Sequence, residues 1–155
     1  GLGLPPRVLG ALEVAHHPKI VVTGFEAGRN SPFTVDTIRF LKRRYPSVNF
    51  VWLMGADNLV SFHRWRAWEA LFRLVPIAVL DRPGYRLKAR ASRAAQRFAS
   101  AALDETDAPG LLRMEPPAWT LLTLPLSSLS STRLRGAKGA TTAHVTLRKA
   151  AKAAK

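Results

Sequence analysis

Apolar and polar positions alternate along this chain in blocks of two kinds. Short apolar runs rich in β-branched residues predict strands at residues 19–24, 49–54, 77–80 and 119–124. Between them, apolar positions at helical spacing predict helices at residues 5–17, 35–45, 65–74 and 86–102. Strands that alternate with helices form βα units, and uninterrupted apolar strands are typical of sheets covered on both faces. The pattern predicts an α/β protein with an open, doubly wound, parallel, Rossmann-like sheet, in which residues 51–54 form a central strand beside residues 77–80.

Two tryptophans in the predicted helix 65–74 have different expected environments. Trp68 is in register with Leu71 and Phe72, so we expect it in the core. Trp65 stands at the helix start beside Arg66, where its planar ring could stack on an aromatic ligand or serve as a partly buried anchor. The pattern leaves these two roles of Trp65 open.

Composition is consistent with one domain over residues 1–155. The chain is 47% hydrophobic and contains no cysteine, which excludes disulfides and thiolate metal sites and makes a reducing cytoplasm the expected compartment. No signal pattern and no apolar run long enough to span a bilayer is present, so we expect a soluble protein without a membrane partner.

Charge is strongly positive and unevenly distributed. The formal net charge is +14, and the final forty residues carry seven Lys or Arg and no carboxylate. Residues 136–155 are expected to form a basic C-terminal helix or tail. Such a field attracts polyanions such as nucleotides or nucleic acid, although a solvated Arg-rich surface is the favoured explanation of most of these charges.

Two segments have the pattern of nucleotide sites. Gly55 and Asp57 follow the strand at 49–54, and ligands of open α/β sheets bind at the carboxyl ends of strands. Ser130, Ser131, Thr132 and Arg135 follow the last predicted strand, where hydroxyls, free N–H groups and a guanidinium suit an anion such as phosphate. Ordinary helix caps remain the alternative for both segments. Thr34 is expected to cap the helix at 35–45, and no cluster has metal-ligand spacing.

Taken together, the chain resembles the bacterial nicotinate-nucleotide adenylyltransferases of the nucleotidyltransferase superfamily. Five motifs occur in the family's order and with its spacing over most of residues 7–135. They are Phe33-Thr34-Val35-Asp36-Thr37, Trp52-Leu53-Met54-Gly55-Ala56-Asp57-Asn58-Leu59, Phe62-His63-Arg64-Trp65, Asp81-Arg82-Pro83-Gly84-Tyr85 and Ser130-Ser131-Thr132-Arg133-Leu134-Arg135.

The resemblance implies a role for each matching residue. Thr34, Trp65, Arg66 and Arg82 would bind the mononucleotide, with Trp65 stacked on the pyridine ring and the Arg66 backbone at its carboxylate. Gly55 and Asp57 would line the nucleotide ribose. Ser130, Ser131, Thr132 and Arg135 would hold the ATP phosphates, with Mg²⁺ arriving on ATP. The implied reaction is transfer of AMP from ATP to nicotinic acid mononucleotide, which yields deamido-NAD and pyrophosphate in NAD biosynthesis.

One departure from the family pattern is large. The family begins with a strand and a histidine-containing loop of the type Gly-Gly-x-Phe-x-Pro-x-His-x-Gly-His, and nothing similar occurs here. The expectation is an N-terminally incomplete fold with no assignable catalytic residue, low activity as it stands, and an exposed sheet edge at which two copies could pair as a homodimer. The alternatives are an impaired fragment that keeps the mononucleotide half-site, or a basic nucleic-acid-binding module. The ordered nucleotide motifs argue against the latter, so no specific nucleic-acid partner is expected.

Overall fold

A computed structural model describes residues 6–24 and 31–123 of the chain. Its contacts divide the chain into Gly1–Leu124 and Pro125–Lys155, and the elements below all belong to the first unit. In chain order they are α1 (Pro6–Leu12), α2 (Thr34–Arg44), β1 (Trp52–Gly55), α3 (Ala56–Ser61), a 3-10 helix (Phe62–Arg64), α4 (Trp68–Leu74), β2 (Ile77–Leu80), α5 (Arg86–Arg90), α6 (Arg93–Arg97), two further 3-10 helices (Ala99–Ala101 and Glu105–Arg113) and β3 (Trp119–Leu122).

The described strands form one parallel sheet in the order β1-β2-β3. Met54 pairs with Val79, and Val79 pairs in turn with Leu121. Thus β2, and not the predicted strand at residues 51–54, lies in the middle. The pairing gives the reason: β2 has a parallel partner on each side, whereas β1 has one partner among the described strands.

Helices cover the two faces of the sheet unequally. Ile77 and Val79 point to the face on which α2 to α6 pack, and they share a core cluster with residues such as Phe62 and Phe72. Ala78, one residue out of phase, packs on the other face against Leu111 of the 3-10 helix at Glu105–Arg113. The predicted class, an open parallel α/β sheet of the Rossmann-like type, is confirmed.

Several local predictions were wrong. Residues 19–24 form no strand, and Ile20 and Val21 are exposed; a β-branched run makes a strand only when a neighbour pairs with it, and none does so in the described part of the chain. The first helix ends at Leu12 rather than His17. The predicted helix at 86–102 is broken at Ser92, whose hydroxyl accepts a hydrogen bond from the Ala95 N–H at 3.2 Å and so begins α6.

The predicted helix at residues 65–74 begins only at Trp68. Ala67 has φ 51°, in the left-handed region, and this residue separates the extended Trp65 from α4. The two tryptophans are therefore not on one helix, and their relative directions do not follow the helical spacing used to predict them. This single backbone conformation places Trp65 on a connecting segment.

Among the residues that the structure describes, no helix combines the length and apolarity needed to cross a bilayer. The predicted phosphate segment, Ser130 to Arg135, and the basic region at 136–155 lie outside the described residues. Their assignments, and the single domain over residues 1–155, stay predictions.

Candidate nucleotide site

The carboxyl end of β1 carries an ion pair between two of the predicted site residues. Asp57, in the first turn of α3, places its Oδ1 atom 3.0 Å from Nε of Arg82, which follows β2. Both side chains remain partly exposed, at 36% and 44%. Because β1 and β2 are parallel neighbours, their ends meet at one edge of the sheet, where ligands of such folds bind.

At this strand end glycine is required because a side chain would not fit, and not because of the backbone angle. Its φ of −78° is open to any residue, and it takes the N-cap position of α3. A Cβ atom at Gly55 would lie 2.7 Å from Arg82 Nε and would also overlap Asp57 Oδ1. The absence of a side chain is therefore what lets the Asp57–Arg82 pair close over the end of β1.

A cavity of about 380 Å³ brings three more of the predicted residues together. Thr34, Trp65 and Arg66 line it, and so do Pro32, Phe33 and Arg64. Residues from the start of α2 thus meet residues from the segment between the 3-10 helix and α4. Sequence reasoning missed Phe33 and Arg64 as lining residues, although both stand in motifs that it singled out.

The start of α2 is built differently from the prediction. Thr34 is the first residue of the helix and does not cap it; Phe33 takes the N-cap position, without a side-chain hydrogen bond to the helix. The Ser31 hydroxyl instead donates a 2.6 Å hydrogen bond to Asp36 in the first turn. This contact ties the chain before α2 to the helix and so orders the side of the cavity formed by residues 32–34.

Both tryptophans are half-buried, so the predicted division into one core ring and one site ring is only partly met. The Trp65 ring packs edge-on against Phe62 with centroids 5.1 Å apart. Trp68 packs edge-on against Phe72 at 6.4 Å and Phe98 at 5.9 Å. Of the two, only Trp65 lines the cavity. Its ring therefore contacts the core through Phe62 and also contributes to the cavity wall.

A second polar cluster joins the ends of β2 and β3. The Arg86 Nη1 atom donates to Asp81 Oδ2 at 3.1 Å and to Thr123 Oγ1 at 2.8 Å. Glu105 accepts hydrogen bonds from both the N–H and the hydroxyl of Thr123. These hydrogen bonds, with the nearby Arg86 charge, hold the pKa of Glu105 below its ordinary value. The cluster orders the last described residue before the segment with the predicted phosphate motif.

Within residues 6–24 and 31–123, no group of three His, Cys, Asp or Glu side chains could hold a metal ion. The described part of the site combines aromatic, hydroxyl and guanidinium groups with the carboxylate of Asp57 at the end of β1. Such groups can bind and orient an anionic aromatic nucleotide.

Comparisons with known proteins identify the family and the fold. The family model described as Cytidylyltransferase-like, which stands for the nucleotidyltransferase superfamily, matches residues 11–137. In fold, the chain is similar to a structure of Plasmodium falciparum nicotinic acid mononucleotide adenylyltransferase complexed with APC, with a TM-score of 0.54 and 16% identity over 84% of this chain and 59% of that one.

Curated relatives are closer in sequence. Two proteins named probable nicotinate-nucleotide adenylyltransferase, from Methylorubrum extorquens (strain PA1) and Brucella abortus (strain 2308), are 54% and 51% identical over 132 residues. That alignment covers 85% of this chain and 71% and 68% of the two relatives. The chain belongs to the nicotinate-nucleotide adenylyltransferase family of enzymes.

Proposed function

We propose that this chain binds nicotinic acid mononucleotide and takes part in transfer of AMP to it from ATP. In this reaction a 5′-phosphate oxygen of the mononucleotide attacks the α-phosphorus of ATP, and pyrophosphate leaves. The observation that carries the proposal is the cavity lined by Thr34, Trp65 and Arg66. Thr34 is far from the other two in sequence, and the family resemblance assigns all three to the pyridine end of the substrate.

The strand-end pair, which is not among the residues that line the cavity, is proposed to hold the nucleotide ribose. Arg82 Nε lies 3.0 Å from one oxygen of Asp57, and the second oxygen is proposed as the acceptor for a ribose hydroxyl. Gly55, whose missing side chain leaves room for this pair, is proposed to line the same ribose. We assign Trp65 to stacking on the pyridine ring, and Thr34 and Arg66 to the end of the cavity that would hold this ring.

This chemistry needs little acid or base catalysis. The phosphate nucleophile is already anionic, so positioning and charge neutralisation are the main demands on the protein. Mg²⁺ is proposed to arrive with ATP and to neutralise its phosphates. Ser130, Ser131, Thr132 and Arg135 are proposed to hold those phosphates, on the basis of the motif alone.

Two measurements on the same protein test the proposal. Isothermal titration should detect binding of nicotinic acid mononucleotide, and a coupled assay should detect pyrophosphate when ATP·Mg is added. Binding without turnover would favour the alternative of an impaired chain that keeps the mononucleotide half-site. Absence of binding would refute the assignment of the cavity. Binding of random DNA at physiological salt with no nucleotide binding would favour the nucleic-acid module instead.

A further inference from the structure

The Arg66 side chain is held across one side of the cavity by an aromatic ring. Its guanidinium carbon lies 4.4 Å from the centroid of Phe33, which stands 33 residues earlier at the start of α2. A cation over a ring face is attracted by the ring's quadrupole, so Phe33 limits where this guanidinium can point. Both residues line the same cavity.

The described charged residues that line the cavity are all positive. Of its described lining residues, Arg64 and Arg66 are cations and none is a carboxylate. A planar guanidinium matches a carboxylate with two parallel N–H donors. A carboxamide has no charge, and its NH₂ group presents further donors to a surface that already offers donors. Such a cavity therefore binds the anion better and also disfavours the amide.

Resting on the proposed function, we propose that the Arg66 side chain makes this site select a pyridine nucleotide with a ring carboxylate over one with a ring carboxamide. Arg66 is then a specificity-determining residue, in addition to the contact expected from its backbone. Phe33 is a positioning residue that acts through Arg66.

A phosphate group could meet the same guanidinium, so the test separates the two anions. Isothermal titration compares three probes: nicotinic acid mononucleotide, nicotinamide mononucleotide and ribose 5-phosphate. For Arg66→Gln, loss of one charge-assisted contact should weaken binding of the acid mononucleotide by at least about tenfold and leave the amide mononucleotide within about twofold. Equal weakening of all three probes would place Arg66 at the phosphate and overturn the proposal.

Further variants isolate the role of Phe33. Phe33→Leu should lower the acid-to-amide affinity ratio by a smaller factor, and Phe33→Tyr should restore it, because a tyrosine ring also attracts a guanidinium. If Phe33→Leu leaves the ratio unchanged, Phe33 does not position Arg66. Thermal melts of each variant confirm that the folded fraction is unaltered.

The matched control is Arg43→Gln, which removes one exposed positive charge from α2 away from the cavity. It should leave the ratio at the wild-type value; an equal drop would mean that net charge, and not Arg66, sets the preference. If wild-type protein binds the mononucleotides with a ratio that Arg66→Gln does not change, only this inference fails. If it binds neither mononucleotide, the proposed function fails with it.

Discussion

Substituting Gly55 by alanine should affect nucleotide binding more than the stability of the fold. The added methyl carbon would lie 2.7 Å from Arg82 Nε and nearer still to Asp57 Oδ1. Carbon and polar atoms pack at roughly 3.5 Å, so the ion pair has to open by about 1 Å. The backbone of Gly55 can stay as it is, because its φ of −78° suits alanine.

The energetic consequence for folding is small. The Asp57–Arg82 pair is 36% and 44% exposed, and ion pairs of that kind contribute about 0–1 kcal/mol. For a chain of this size that corresponds to a fall in Tm of no more than about 4 °C. Binding should suffer more: a displaced Asp57 loses a charge-assisted bond to the ribose, worth about 1.5–3 kcal/mol, or roughly 10- to 150-fold in Kd.

Differential scanning fluorimetry and isothermal titration with nicotinic acid mononucleotide measure the two effects. Gly110→Ala is the matched control, since nothing lies within 4 Å of the position its Cβ would take; both readings should stay at wild-type values. If Gly55→Ala binds the mononucleotide within about twofold of wild type, Asp57 does not contact the ribose. If instead its Tm falls far beyond the expected range, the strand end is chiefly structural.

Four other variants give distinct expected outcomes. Trp68→Ala should lower the stability of the fold by less than the roughly 3–5 kcal/mol of a fully buried aromatic, because its ring is half-buried, and should leave mononucleotide affinity unchanged. Trp65→Ala should weaken mononucleotide binding by the loss of stacking, about 1–3 kcal/mol, and should lower Tm by a smaller amount through the loss of its contact with Phe62. Hydrogen bonds from Thr123 lower the folded-state pKa of Glu105 below that of the unfolded chain. The stability that they contribute is therefore complete above about pH 4.5 and is lost as pH falls through the lowered pKa. Because Thr123→Val removes one of these hydrogen bonds, it should make the loss of Tm at acid pH shallower. Arg135→Ala should weaken ATP binding and leave Tm nearly unchanged, as the phosphate motif predicts.

Each of these has a result that would contradict it. Exchanged phenotypes of the two tryptophan variants would place Trp68, not Trp65, at the pyridine ring. Melts of Thr123→Val and wild type that run parallel from about pH 6 to about pH 3 would show that the hydroxyl does not perturb Glu105. Unfolding of Arg135→Ala with unchanged ATP affinity in the folded fraction would make that residue structural.

Local sequence determined what depends on near neighbours along the chain. The apolar run at Ile77–Leu80 predicted β2 correctly, because a strand buried on both faces needs no polar alternation. The helical spacing of Ile38, Leu41 and Tyr45, ended by Pro46, predicted α2 to within about a residue. Of these, Ile38 is buried as expected, whereas Tyr45 is 45% exposed and does not face the core. The order of the five motifs indicated the family, since each motif is a short stretch whose residue types can be read directly.

Tertiary structure decided what depends on residues distant in sequence. Whether a β-branched run becomes a strand, and which strand lies centrally, depends on pairing partners that local pattern does not encode; residues 19–24 and the central place of β2 are the examples. The left-handed conformation of Ala67 gives Trp65 a direction different from the one that a continuous helix predicts, and no glycine in the sequence indicates this conformation. The Asp57–Arg82 pair and the Arg66–Phe33 contact each join residues at least 25 positions apart. The first contact exists because the ends of neighbouring parallel strands meet at one edge, and the second because the start of α2 lies against the segment before α4. The residues could therefore be named from sequence, while their mutual geometry could not.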